Sequence, residues 1–428
     1  MTKIIKREIF DDLIAHLGKK EATLLVGPRQ AGKTTLLLLI KKHLIEEKKI
    51  DPENIFYFNL DRFKDLEFFS SQEEVIKFLE SREKKGKIYL FIDEAQRIKE
   101  AGRFLKGIYD LNFNLKMIVS GSSSLEIKSK IVEPLTGRKR VFHLYSFSFK
   151  EFLRAKDPSL IEIAEQEEPL SLYDRNKLQN LLEEFLVFGG YPSVVLEENP
   201  KEKEKILEEI YNSYLEKDII SFLAVKKPFV FKKLAGLLAF QVGQLVNLNE
   251  ISRSLSAERR TIENYIDILK ETFVIKNVLP FYRNARKELV KMPKVFFLDN
   301  GLRNFAINNL ERYPLRQDQG GLLENFVASE IIKSDKLREA LYFWRTHHGA
   351  EVDFVLRRAG RVVPIEVKKS LKSAKIPRGL HHFLVDYPCR KSWVINMDIE
   401  KEIILSAKKE IKVILLPPYK IKRILSEL

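Results

Sequence analysis

The stretch GPRQAGKT, Gly27 to Thr34, constrains this chain more than any other. It fits G-x-x-x-x-G-K-[ST] in full, follows the run Thr23 to Val26, and leads into Thr34 to Glu47, which holds no Gly or Pro. Strand, glycine loop and helix in that order form a site for an anion. The glycines let backbone N–H groups close around phosphate oxygens, and the helix N-terminus adds the positive end of its dipole. A chance glycine turn would not come with both flanks. The spacing directs Lys33 to the β- and γ-phosphates of a nucleotide and Thr34 to a Mg²⁺ ion. Gly27, Pro28, Arg29, Gln30, Ala31, Gly32, Lys33, Thr34 and Thr35 together read as the cradle for ATP.

IYLFIDEA places Asp93 and Glu94 at the carboxyl end of an apolar strand. Two acids there are costly unless they serve a cation or a water. Asp93 suits the Mg²⁺ shell, and Glu94 suits polarising an attacking water. Ser120 and Ser122 end the next strand. They read either as contacts to the γ-phosphate or water, or as ordinary turn serines. Arg138 in TGRKR reads as an arginine finger, acting within the chain or on a neighbour.

Strand-like runs Ile55 to Phe63, Ile88 to Ile98, Leu115 to Ser124 and Arg140 to Ser148 alternate with helical stretches. That order predicts an α/β fold, a parallel sheet with helices on both faces. A chain of 428 residues is too long for one core. The expected domains are 1–149, the P-loop core; 150–227, a helical lid; 228–295; and 296–428, a separate α/β domain.

Within 228–295, three helical stretches precede VIKNVLPFYRNARKELVKMPKVFFL, which reads as a β-hairpin, and together they spell a winged helix-turn-helix. Asn249 is the expected cap of the second helix and Ser256 of the third. Arg259 and Arg260 then fall in a first turn, where basic residues oppose the helix dipole but suit a helix aimed at DNA. Arg283, Arg286, Lys287 and Lys291 fall in the expected wing, within reach of phosphates. The competing reading is a winged fold that packs against protein.

Lys plus Arg is 75 and Asp plus Glu is 60, so the formal net charge is +15. The excess favours an anionic partner such as double-stranded DNA. Cys389 is the single cysteine, which rules out an internal disulfide and fits a reducing cytoplasm. The N-terminus, MTKIIKREIF, carries no long apolar core, and no basic amphipathic helix stands out, so no membrane role is expected.

The blocks GPRQAGKTT, FIDEAQ, SGSSS, LTGRKR, SFSFKEF, FGGYP, YLEKDI, PKVFFLDNGLRN, GLLENFV, YFWRTHHGAEVDFVL and PIEVK, in this order, span nearly the whole chain. On them the chain resembles the prokaryotic AAA-type ATP-binding proteins whose C-terminal half is catalogued as a domain of unknown function. The resemblance implies an AAA-type ATPase core and nucleotide roles for Lys33, Thr34, Asp93 and Glu94. It matches Arg138 to the family's GR position.

The C-terminal part resembles the PD-(D/E)xK nuclease superfamily, an α/β restriction-endonuclease-like fold. On that pattern Glu324 supplies a helix acid, Asp353 a strand acid, and Glu366 with Lys368 the E-x-K of the next strand. Strand alternation puts Glu366 and Lys368 on one face. Glu324, Asp353 and Glu366 would hold Mg²⁺, and Lys368 would orient water beside a phosphate. The same residues also read as ion pairs in a degenerate fold kept for binding. Two functions follow: an ATPase with a DNA-binding, nuclease-like tail, or a nucleotide switch acting on protein partners or further copies of itself.

Overall fold

The computed structural model describes residues 4–83, 86–121, 134–213, 227–282, 292–387, 389–406 and 410–426. Ser122, Arg283, Arg286, Lys287 and Lys291 lie outside the described residues, as does all of YLEKDI. The chain divides into two compact units, Met1–Tyr145 with Glu271–Phe273, and Ser146–Lys270 with Val274–Leu428.

In the first unit, β1 (Ala22–Val26), β2 (Ile55–Asn59), β3 (Ile88–Asp93), β4 (Leu115–Gly121) and β5 (Lys139–His143) form one sheet in the order β2-β3-β4-β1-β5. Every neighbouring pair is parallel. β1 and β3 are buried along their whole length, which is why both read as unbroken apolar runs. The helix Lys33–Glu46 turns Leu36, Leu37, Ile40 and Leu44 onto Leu25, Phe91 and Ile118 of the sheet. The glycine loop after β1 and the Asp93 end of β3 therefore open at the carboxyl edge, where open parallel sheets take their ligands.

The second unit begins with helices that include Phe149–Lys156, Leu172–Phe188 and Pro200–Asn212. Three more follow, Pro228–Phe240, Leu248–Ser254 and Arg259–Glu271, and then β6 (Ile275–Pro280) and β7 (Lys294–Phe297), which pair antiparallel. The remaining strands are β8 (Leu341–Arg345), β9 (Glu351–Arg358), β10 (Arg361–Lys368), β11 (Lys391–Asn396), β12 (Lys401–Ser406) and β13 (Glu410–Leu416). Among the described residues they make a sheet in the order β12-β13-β11-β10-β9-β8-β6-β7. β6 joins β8 in parallel through Leu279 and Tyr342, so the pair after the three helices is an edge of this larger sheet. The helix Gln319–Lys333 packs on β7 and β10, and Arg378–Asp386 on β9 and β10.

Two caps differ from expectation. Asn247, not Asn249, caps the second of the three helices, its side chain accepting from the N–H groups of Asn249 and Glu250. Ser256 does not cap the third, because it takes a left-handed φ of 47° and the helix starts only at Arg259. The FGGYP and FLDNGLRN blocks meet in space. Asp299 caps the helix Asn300–Ala306 and also accepts the N–H of Gly190 at 2.9 Å. Among the described residues no helix is long and apolar enough to cross a membrane.

Candidate functional site

The loop after β1 folds as its glycines require. A methyl group at Gly27 would lie 2.0 Å from the carbonyl oxygen of Leu144, so only Gly lets the chain leaving β5 pass beneath the loop. Lys33 is buried, and its ammonium donates to the carbonyls of Gly27 and Pro28 at 3.0 and 2.9 Å. Thr34 donates through its hydroxyl to Asp93 at 2.6 Å. Asp93 is fully buried and also accepts from Tyr57 at 2.9 Å and from Ser120. Burial first, and then the Asp93 charge, raise the Tyr57 phenol, so it stays a donor.

Glu94 follows in the left-handed region, with φ 58° and ψ 42°. That backbone turn carries its side chain off the strand axis, an uncommon conformation for a non-Gly residue. Its N–H donates to Ser120 at 3.3 Å, and its carboxylate accepts from Gln96 at 2.5 Å. Ser120 thus touches both acids of the IDEA block. Arg7 is a residue the sequence reading missed. Its guanidinium, buried, donates at 2.7 Å to the carbonyl of Ala31 inside the loop and at 2.7 Å to that of Tyr145.

Arg138 is not brought to this loop. Its carbonyl accepts from Ala22 at the start of β1, while the loop leaves the other end of that strand, after Val26. Its guanidinium pairs with Asp110 at 2.6 Å. A finger acting within the same chain is therefore corrected by the fold, since a five-residue strand at roughly 3.3 Å per residue separates the two ends.

Arg259 and Arg260 stand exposed at the start of their helix, as expected. Arg259 is drawn to Glu263 at 2.8 Å and reaches Asn249 at 3.4 Å. The opposite face, with Ile262, Tyr265, Ile266 and Leu269, is buried.

At the C-terminal sheet Glu324, Asp353, Glu366 and Lys368 come together. β9 and β10 pair as far as Phe354 and Ile365. One residue further, Asp353 takes the N–H of Val367 on its own carboxylate at 2.7 Å. The strand pairing stops at this point, and Asp353, half-buried, turns its carboxylate to the backbone of β10. Lys368 lies 2.5 Å from Glu366 and 4.0 Å from Asp353. Lys294 of β7, 3% exposed, lies 2.5 Å from Glu351 and 3.1 Å from Glu324. Neither Lys294 nor Glu351 was singled out from the sequence; a lysine inside PKVFFL looks like an ordinary strand residue.

Burial, and then the charge of Asp353, raise Glu324 to about 8 against the pull of Lys294. Burial and Asp353 likewise raise Glu366 to about 8 against Lys368. Burial lowers Lys294, but Glu324, Asp353 and Glu351 outweigh it and raise this ammonium well above its usual value. One oxygen of Glu366, Oε2, is buried without a hydrogen-bond partner. Among the described residues, no three His, Cys, Asp or Glu side chains are grouped so as to hold a metal ion. Ammonium groups stand between the acids instead.

Residues 19–153 match a family described as an AAA domain. Residues 179–313 and 319–417 match two domains of unknown function, DUF8612 and DUF4143. A relative from Haemophilus influenzae, called an uncharacterized protein, is 29% identical over 363 residues, 83% of each chain. One from Mycobacterium tuberculosis, also called uncharacterized, is 27% identical over 387 residues, 90% of this chain and 78% of its own. Among solved structures, the Aeropyrum pernix ORC1 protein in complex with DNA is 13% identical, with a TM-score of 0.34, over 72% of this chain and 93% of that one. The AAA match supports a nucleotide-binding, AAA-type P-loop ATPase.

Proposed function

We propose that this chain is a Mg²⁺-dependent ATPase whose second unit binds double-stranded DNA and carries a nuclease-like acid site. The observation that carries the ATPase reading is the 2.6 Å contact between Thr34 and Asp93. A hydroxyl and a carboxylate, both hard oxygen donors, stand together beside a phosphate loop, which is the donor set Mg²⁺ takes. Thr34 and Asp93 would hold the ion, which when bound screens the phosphate charges. Lys33 sits buried in the loop, placed to shift from loop carbonyls to phosphate oxygens. Glu94 accepts the proton of an attacking water, with Ser120 and Gln96 fixing its position.

At the C-terminal cluster the unpartnered Oε2 of Glu366 supports a divalent ion as its natural complement. Mg²⁺ or Mn²⁺ bound there would draw a phosphate toward the acids. The winged-helix reading rests on the order of three helices and an antiparallel pair, with Arg259 and Arg260 exposed at a helix start.

One observation favours the regulatory alternative, in which this segment packs on protein. The helix Arg259–Glu271 balances Arg259, Arg260 and Lys270 against Glu263, Asp267 and Glu271, so it carries no net charge of its own.

Turnover of ATP with Mg²⁺ tests the central claim. Lys33→Ala loses binding or turnover. Glu94→Gln keeps nucleotide binding and loses turnover. Native hydrolysis in both variants would overturn the assignment.

A further inference from the structure

We infer that Lys294 is a resident cation of the C-terminal cluster: it holds Glu324 and Glu351, and leaves Asp353 and Glu366 as the pair for a single divalent ion. The inference rests on the metal-binding reading of that cluster and narrows which acids serve it.

Glu324 is closed from two sides. Its Oε1 lies 3.1 Å from the Lys294 ammonium. Its carboxyl group lies over Gly243, where an added methyl carbon would fall 2.9 Å from Oε2 and 3.1 Å from Oε1. A Mg²⁺ ion needs carboxylate oxygens at roughly 2.0–2.1 Å, closer than any ammonium approaches. A metal on Oε1 of Glu324 would therefore have to displace Lys294. That side chain has little room to leave. It is buried, its strand pairs through Val278 on β6, and its ammonium lies 5.4 Å from the centre of the Phe343 ring.

The other end of the cluster differs. Lys368 has a side chain 39% exposed and can swing outward. Doing so uncovers Glu366, whose Oε2 already lacks a partner, and Asp353, which the Val367 N–H holds in place. When all four acids are ionised, the carboxylates of Glu324, Glu351, Asp353 and Glu366 outnumber the ammonium groups of Lys294 and Lys368 by two charges, which is what one divalent ion cancels.

Mn²⁺ binding to the nucleotide-free full chain, read by the electron paramagnetic resonance of free Mn²⁺, decides the matter. Glu366→Gln serves as the reference, since any Mn²⁺ at the phosphate loop is common to all variants. We expect Glu366→Gln and Asp353→Asn to remove the cluster's Mn²⁺. Glu324→Gln should weaken it far less. Lys294→Met should tighten it about tenfold or more, because a positive charge leaves and two acids are released. Lys294→Met also strands two half-buried carboxylates and can unfold the chain. Thermal unfolding would reveal that, and Glu324→Gln then decides alone. A folded Lys294→Met with unchanged or weaker Mn²⁺ binding overturns the inference, as does Glu324→Gln losing as much as Glu366→Gln. Absence of any Mn²⁺ sensitive to Glu366→Gln, in native chain and Lys294→Met alike, overturns the metal reading itself and the inference with it.

Discussion

Thr34, in the first turn of its helix, donates a hydrogen bond to Asp93 at the end of β3 across 2.6 Å. The contact joins two segments that are 59 residues apart in sequence, and it does so at the carboxyl edge of the sheet. Asp93 is held on three sides, by Thr34, Tyr57 and Ser120, so its carboxylate does not drift. Thr34→Ala removes one oxygen donor and leaves the fold alone, whereas Thr34→Ser keeps the hydroxyl. The Mg²⁺ concentration for half-maximal ATP turnover should rise about tenfold in Thr34→Ala and stay near native in Thr34→Ser. Equal Mg²⁺ curves for all three proteins would remove Thr34 from the metal site.

Arg7 ties the phosphate loop to the segment after β5 through Ala31 and Tyr145. Hydrogen bonds from a charged donor to buried carbonyls are worth about 1.5–3 kcal/mol each. Arg7→Ala frees the loop to move and leaves two carbonyls without that donor. We expect nucleotide affinity to fall about tenfold or more, with the loop sequence itself untouched. Titration with a fluorescent ATP analogue measures it, and thermal unfolding separates a loosened loop from a lost fold. Native affinity in a folded Arg7→Ala would show that the clamp has no bearing on the site.

Much of the first unit was legible because its signals are local. GPRQAGKT carries loop and helix start within eight residues, and IYLFIDEA carries strand and acids together. Arg7 was not legible, since nothing near it in sequence mentions Ala31 or Tyr145. Arg138 shows the same limit: the GR block gives a residue type, while its distance from the loop of its own chain depends on which end of β1 it meets. In the second unit, Glu366 and Lys368 share a face by alternation, as read. Asp353 gained its place from the end of the β9 and β10 pairing, which no single strand encodes. Lys294 became part of the cluster only because β6 and β7 extend the same sheet.

The amino end of the first sheet holds a buried lysine with a testable titration. Lys116 donates to the carbonyls of Glu21 at 2.6 Å and Lys19 at 3.1 Å, and to His16 at 3.2 Å. Burial, and then the charge of Lys87, lower it from 10.5 to about 7. The unfolded chain therefore binds more protons than the folded one between those values. Stability should rise as pH climbs from about 7 to about 10.5, and this share is lost as pH falls through 7. Lys116→Met should flatten that rise, although it also strands two carbonyls at a cost of about 1–3 kcal/mol each. Urea unfolding at several pH values gives the slope. Parallel pH curves for native and variant would show that Lys116 does not titrate in this window.

The exposed arginines offer the sharpest division between the two readings of the second unit. Arg259 and Arg260 stand at a helix start, but Glu263 already engages Arg259 at 2.8 Å. If the helix meets DNA, a phosphate competes with Glu263 for that guanidinium, and counterions leave the duplex as it does so. Each phosphate neutralised changes the slope of log affinity against log salt by about 0.9. Replacing both arginines with Ala should therefore flatten the slope by about two and weaken duplex binding uniformly across sequences. Glu263→Gln should act in the opposite direction, strengthening binding, because it releases Arg259 without adding charge to the partner. A protein-packing module predicts neither effect: its duplex affinity would be weak from the start and indifferent to both changes. Fluorescence anisotropy with a labelled duplex across a salt series distinguishes them. Loss of affinity without a change in slope would mean that the arginines shape the helix rather than touch phosphate, and would move the assignment to the regulatory reading.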